Sequence, residues 1–327
     1  MTPEQVLFAG VRSLPRSRPR NDRGDPLDLD ATWLVRIADV RDAGLDLRKR
    51  PIEVARTDFL ASCRLVEGPR RSLAQVADRQ IAGCQVRQYD PGADAVGTLV
   101  YLHGGGWVVG DLDSHDRLCR RLAHQGRQRV VAVHYRRAPE HPFPAAIHDV
   151  VGVFRALVDE RGPRVAIGGD SAGGNLAAVA CHVLRDEGDP RRPAFQLLVY
   201  PATDLRRVTA SHRALEHGYL LEKENLDWYQ DAYQPDVLDP RASPLLHPDL
   251  SELPPAIVVS AGFDPLRDDA ELYASALSRA GGAVDDLRVP GQLHGFANMD
   301  GALPSADRAV DAIVDACRAR WASVGST

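Results

Sequence analysis

The stretch Arg164-Val165-Ala166-Ile167-Gly168-Gly169-Asp170-Ser171-Ala172-Gly173-Gly174-Asn175 decides how this chain is to be read. Residues 164–168 are short and β-branched, the composition of a buried strand. Behind Ser171 come Leu176, Val179, Ala180, Val183 and Leu184, at the i, i+3, i+4, i+7, i+8 spacing of a helix face. Ser171 therefore stands on a sharp strand-to-helix turn between Gly169 and Gly173, the G-x-S-x-G spacing of a nucleophile elbow, where neighbouring backbone comes too close for side chains. A serine there sits at a helix N-terminus, whose unpaired N–H groups and positive dipole end stabilise a developing oxyanion. The competing reading is an N-cap serine in a Gly-rich turn, and a pentapeptide alone does not separate the two.

A second signal lies upstream. The apolar run Thr98-Leu99-Val100-Tyr101-Leu102 leads into His103-Gly104-Gly105-Gly106-Trp107. Glycines after a strand let backbone N–H groups approach a substrate carbonyl with no Cβ in the way, the second half of an oxyanion hole. Gly104, Gly106 and Gly110 also permit a phosphate loop, but the dinucleotide fingerprint is G-x-G-x-x-G with an acid at the end of the next strand. Here that strand, Val130-Val131-Ala132-Val133-His134-Tyr135, ends without one. The chain holds no G-x-x-x-x-G-K-[ST], which excludes a P-loop.

A serine nucleophile needs a base and an orienting acid, in the chain order Ser, Asp or Glu, His. Ala256-Ile257-Val258-Val259-Ser260 reads as a buried strand, followed at once by Gly262-Phe263-Asp264-Pro265-Leu266. A last strand over 284–290 leads to Gln292-Leu293-His294-Gly295-Phe296 on a loop. Of the eleven histidines, His294 alone follows the candidate acid. Without the two upstream motifs it would read as a surface loop histidine. Asp268 is a rival acid, but it falls inside the helix described by Leu266, Ala270, Tyr273 and Leu277, which points it away from His294. Asp264 also suits a helix N-cap, and the two roles are compatible.

These residues resemble the hormone-sensitive-lipase-like branch of the α/β-hydrolases, the HGGG carboxylesterases and acetyl hydrolases. The resemblance rests on His103-Gly104-Gly105-Gly106-Trp107, on residues 135–146 (Tyr135-Arg136-Arg137-Ala138-Pro139-Glu140 onward), on Gly169–Asn175, on Tyr200-Pro201-Ala202-Thr203-Asp204, on Asp264-Pro265-Leu266-Arg267-Asp268 and on His294-Gly295-Phe296. The motifs stand in family order and span roughly residues 75–320; the N-terminal quarter carries none. The resemblance implies an α/β-hydrolase fold: a mostly parallel twisted sheet flanked by helices, with a helical cap. It implies the triad Ser171, Asp264 and His294, an oxyanion hole from the N–H groups of Gly105, Gly106 and Ala172, and hydrolysis of short-chain acyl esters through an acyl-enzyme. Amide hydrolysis, lactone hydrolysis and a non-catalytic ligand receptor remain open on the same fold. The receptors lack the histidine that His294 supplies. Trp107, beside the oxyanion loop, is the candidate substrate-binding residue, with packing under the cap as its alternative. Two departures stand out: Arg137 where leucine is common, expected to reach solvent or pair with Glu140, and Asp111 where a small residue is usual.

Composition agrees. With 327 residues, 44% hydrophobic content and a net charge of −5, the chain can bury one large α/β core, and its acidic balance argues against nucleic-acid binding. Arg12, Arg16, Arg18, Arg20 and Arg23 lie among prolines and glycine and read as a flexible, solvated arm. The five cysteines, Cys63, Cys84, Cys119, Cys181 and Cys317, are scattered with no C-x-x-C, which favours a reducing, cytoplasmic setting without a metal or a disulfide framework. The first residues lack the features of a signal peptide, and no stretch approaches 18 apolar residues. The expected partner is a small-molecule ester, with no cofactor, no metal, no nucleic acid and no membrane, for a monomer or homodimer.

Residues 1–75 carry helical patterns at Trp33–Val40 and Ile52–Leu65 and are expected to form the first part of a cap. Residues 76–204 and 251–327 alternate strands and helices as a catalytic α/β domain. The insertion 205–250, with helices expected over His212–Leu220 and Lys223–Tyr233, would complete the cap. A terminal helix presents Val310, Ile313, Val314, Cys317 and Trp321 on one face.

Overall fold

Among the described residues, eight strands pair in one sheet: β1 (Gln75–Ile81), β2 (Cys84–Asp90), β3 (Thr98–Leu102), β4 (Arg129–His134), β5 (Val165–Asp170), β6 (Gln196–Val199), β7 (Ala256–Phe263) and β8 (Val284–Leu293). Their order is β1-β2-β4-β3-β5-β6-β7-β8, antiparallel at β1–β2 and β2–β4 and parallel from β4 onward. The computed structural model describes residues 18–42 and 50–324.

The sequence dictates this locally. β1 and β2 turn through Ala82 and Gly83, both at positive φ (50° and 83°), the two-residue connection that matches strand twist. β3, β5, β6 and β7 are buried along their whole length, as parallel strands covered on both faces must be. The side-chain period of 2 then divides the core. Val100 and Leu102 face one side, with α4 (Ala145–Arg161), α5 (Ala172–Asp186) and α8 (Arg267–Arg279). Leu99 and Tyr101 face the other, with α3 (Asp116–Gly126), α9 (Pro304–Ser323) and Leu27, Ala31 and Val35 around the start of α1 (Leu29–Asp42). The predicted face of α9 is buried, and Trp321 stacks edge-on against Phe195 at 4.8 Å.

Two further helices join the core on the Val100 side: α2 (Ile52–Val66) through Ala55 and α7 (Lys223–Tyr233) through Tyr233. The helix expected over His212–Leu220 is shorter. It runs only Ala210–Ala214 (α6), because Gly218 and Leu220 take positive φ (85° and 70°) and break the pattern before α7 begins. β8 in turn extends past the expected 284–290 to Leu293.

Of the arm's arginines, Arg18, Arg20 and Arg23 are exposed, as expected, and are also engaged. Arg23 pairs with Asp268 and Glu271, both at 2.9 Å, and Arg18 Nε donates to the Leu27 carbonyl at 2.7 Å, because the arm folds back against β7 and α8. Arg12 and Arg16 lie outside the described residues. Glu140 pairs with Arg56 of α2 (2.7 Å), which holds its carboxyl down at about 2, and not with Arg137. Arg137 is half-buried and donates to the Gly110 carbonyl at 2.5 Å. All five cysteines are buried and unpaired. No helix among the described residues is long and apolar enough to cross a membrane.

Candidate active site

Ser171 stands between β5 and α5 at φ 55°, ψ −119°, a region non-glycine residues avoid. The crowding that the pentapeptide requires is explicit. A Cβ on Gly173 would lie 2.0 Å from the Leu102 carbonyl oxygen, and one on Gly169 would lie 2.4 Å from the same atom. The Ser171 N–H donates to the Val199 carbonyl at 2.9 Å, which pins the turn to the neighbouring strand.

The two remaining polar residues arrive from the ends of β7 and β8, which pair side by side. His294 Nε2 lies 3.0 Å from Ser171 Oγ, and His294 Nδ1 lies 2.7 Å from Asp264 Oδ2. Asp264 is fully buried, and its other oxygen accepts the Leu266 N–H at 2.8 Å, so one carboxylate holds both the imidazole and the turn into α8. Asp268 is turned elsewhere. It accepts the Ser211 N–H at 2.9 Å and pairs with Arg23 and Arg267, and these partners hold its pKa below the usual carboxylate value although burial opposes them.

The glycine loop lies against this group. Gly105 and Gly106 take positive φ (114° and 58°), and the Gly105 carbonyl accepts the N–H groups of Val108 and Val109, closing the loop into a tight turn. Neither the Gly105 nor the Gly106 N–H donates to a described residue. Ala172 is the first residue of α5, where the N–H has no partner within the helix. Three donors are thus left open beside Ser171.

Asp170 and His103, which stand in the two motifs and are expected to orient loops rather than do chemistry, organise the site together with Tyr200, also in a motif, and Arg56, which is in none. Asp170, one residue before the serine, accepts from the Gly104 N–H (3.0 Å) and the Tyr101 hydroxyl (2.9 Å), with His115 Nε2 at 3.3 Å. Burial works to raise the Asp170 pKa, but His115 and these hydrogen bonds outweigh it and the net shift is downward. His103 is buried, with Nδ1 2.8 Å from the Gly104 carbonyl and its ring stacked on Tyr135; burial lowers its pKa to about 3, so it stays a neutral scaffold. The ring of Tyr200 lies 4.7 Å from that of His294. Arg56 donates to the Val108 and Ala138 carbonyls, tying α2 to the loop after the glycines.

Trp107 is 5% exposed and stacks face to face on Tyr233 of α7, with centroids 4.5 Å apart. Its ring thus packs against α7. The neighbour that touches the glycine loop is Tyr229, whose ring would lie 2.1 Å from a Cβ on Gly106. Its signal was only an aromatic at helical spacing, which does not distinguish a site wall from a core residue.

The likeness to known proteins agrees with this geometry. A family described as having the α/β hydrolase fold matches residues 99–298. The carboxylic ester hydrolase LipN of Mycobacterium tuberculosis is 42% identical, over 90% of this chain and 86% of its own. The ethyl acetate hydrolase of Pseudomonas putida is 36% identical, over 88% and 96%. Among solved structures, an α/β-hydrolase enzyme from the metagenome of Lake Arreo, LAE6, superposes with a TM-score of 0.86 at 39% identity, covering 92% of this chain and 99% of that one. The chain belongs to the α/β-hydrolase family, in its hormone-sensitive-lipase-like branch.

Proposed function

We propose that the protein is a serine carboxylesterase that hydrolyses short-chain acyl esters through an acyl-enzyme. The observation that carries this is the continuous chain of contacts Ser171 Oγ–His294 Nε2–Asp264 at 3.0 and 2.7 Å, beside open backbone donors. In the reaction His294 takes the Ser171 proton as Oγ attacks the ester carbonyl. Asp264 keeps the proton on Nδ1 and stabilises the imidazolium, and the N–H groups of Gly105, Gly106 and Ala172 receive the oxyanion. His294 then protonates the leaving alcohol. Water, activated by the same nitrogen, attacks the acyl-enzyme and releases the acid with Ser171 restored.

The N-terminal part, residues 1–75, and the insertion 205–250 act as a two-part cap over residues 76–204 and 251–327. Supporting this, α2 reaches the glycine loop through Arg56 and α7 reaches it through Tyr229 and Tyr233. In this reading Trp107 backs the substrate site through Tyr233, while Tyr229 meets the substrate. A cap this close to the nucleophile suits acetyl to hexanoyl chains and dissolved substrate, rather than lipid at an interface. The five unpaired cysteines suit the cytoplasm, and the protein works as a monomer or homodimer.

The test is kcat/KM for p-nitrophenyl esters of increasing acyl length beside N-acetyl amides and lactones. The reading expects esters to be turned over well ahead of the others, with a maximum at short chains. A maximum at long chains, or a rate jump where the substrate passes its solubility limit, would make the protein a lipase.

A further inference from the structure

The hydrogen-bonded ladder between β7 and β8 shifts register between Ala261 and Phe263, immediately before the strands release Asp264 and His294. The ladder resumes at Phe263 and Leu293, so a single pair beyond the irregularity precedes Asp264 and His294. A segment remote in sequence touches both strands.

Asn21 Nδ2 donates to the Gly262 carbonyl at 3.1 Å, two residues before Asp264. Asp22 next to it binds Arg267 through both oxygens, at 2.6 and 3.0 Å, and Arg267, itself buried, reaches the same Gly262 carbonyl at 3.4 Å. Seven residues along the arm, the Asp28 N–H donates to the Gly291 carbonyl at 3.0 Å, and its carboxylate accepts Gln292 Nε2 at 2.9 Å, two residues before His294. Gln292 is fully buried. The span between these ends is itself tied down: Asn21 Oδ1 accepts the N–H groups of Arg23 and Asp25, and the Leu27 N–H donates to the Pro19 carbonyl at 2.8 Å.

We infer that residues 21–28 are a brace that sets the spacing of the Asp264 and His294 loops, with Asn21 and Asp28 as positioning residues of the reaction proposed above. They touch no reacting atom. Their contribution is the geometry of the Asp264–His294 hydrogen bond, and displacement of about an ångström in such a relay costs on the order of 10²-fold in rate.

The test uses the full chain and four proteins: wild type, Asp28→Ala, Asp28→Asn and, as the control for simple destabilisation, Ile313→Val in the core face of α9. Asp28→Ala is expected to lower kcat by roughly 10- to 100-fold with KM nearly unchanged. Asp28→Asn, which keeps an acceptor for Gln292, restores most of the rate, and Ile313→Val does not alter it. Independently of substrate, the low-field proton resonance of His294 Nδ1 bonded to Asp264 is expected to shift or broaden in Asp28→Ala alone. An unchanged kcat and resonance in folded Asp28→Ala would overturn the brace, as would an equal loss in the control or an asparagine no better than alanine. If wild type hydrolyses no ester, the esterase reading falls, and the resonance still decides the brace.

Discussion

The carboxylate of Asp170 accepts the backbone N–H of Gly104 at 3.0 Å, fastening the end of β5, one residue before Ser171, to the glycine loop. In the proposed mechanism the nucleophile and the oxyanion donors come from separate strands of the sheet, and this buried contact links them. Asp170→Ala is therefore expected to lower kcat by on the order of 10²-fold or more while leaving KM nearly unchanged, as for loss of an oxyanion donor. Steady-state kinetics on a short acyl ester check it; a change confined to KM would separate Asp170 from the transition state.

Replacing Ser171 by alanine removes the attacking oxygen and leaves the surrounding strands and helix untouched. The variant should keep its far-UV circular dichroism and retain no more than the ~10³–10⁴-fold advantage over water that an oxyanion hole and binding provide. Near wild-type turnover by the purified variant would mean that another group attacks.

Asp264→Asn should cost on the order of 10⁴ in kcat by favouring the wrong imidazole tautomer. Asp268→Asn, which loses ion pairs with Arg23 and Arg267 and nothing of the proton relay, should cost about tenfold or less. Parallel kcat measurements rank the two, and the opposite ranking would transfer the orienting role to Asp268.

Tyr229 rests on Gly106 and limits the room beside the open N–H donors. Tyr229→Ala should move the acyl-length optimum upward, raising the octanoyl-to-acetyl ratio of kcat/KM by roughly tenfold or more, the scale at which a pocket discriminates added methylenes. An unchanged ratio would place the acyl chain elsewhere.

Acid should destabilise the fold before its carboxylates titrate. His103 and His182 are buried, and burial lowers each to about 3, whereas in the unfolded chain each titrates near 6.5. Between these values the unfolded state binds more protons, so stability is intact above about pH 6.5 and falls as the pH drops toward 3, by up to about 1.4 kcal/mol per pH unit for each histidine. Urea denaturation at pH 7.5, 6.0 and 5.0 measures this slope. His182→Gln should flatten it, and a stability independent of pH over that range would contradict the neutral buried state.

The strands and the elbow turn were legible because each rests on local rules: β-branched runs, helical spacing after Ser171, and glycines where backbone crowds backbone. Gly173 is the clearest instance, since the carbonyl of Leu102 occupies the place of any Cβ there. Tertiary structure alone decided the partners of long-range polar atoms. Nothing near Asp170 in sequence names Tyr101 or Gly104, and Arg56 meets Glu140 across 84 residues. Arg23 is exposed, as its proline- and glycine-rich neighbours suggest, but nothing in them names its partner Asp268, 245 residues away. Period and propensity are properties of a short segment and survive being read in isolation. A hydrogen bond between distant residues exists only once the sheet has brought their backbones within a few ångströms, and no local pattern encodes which two will meet.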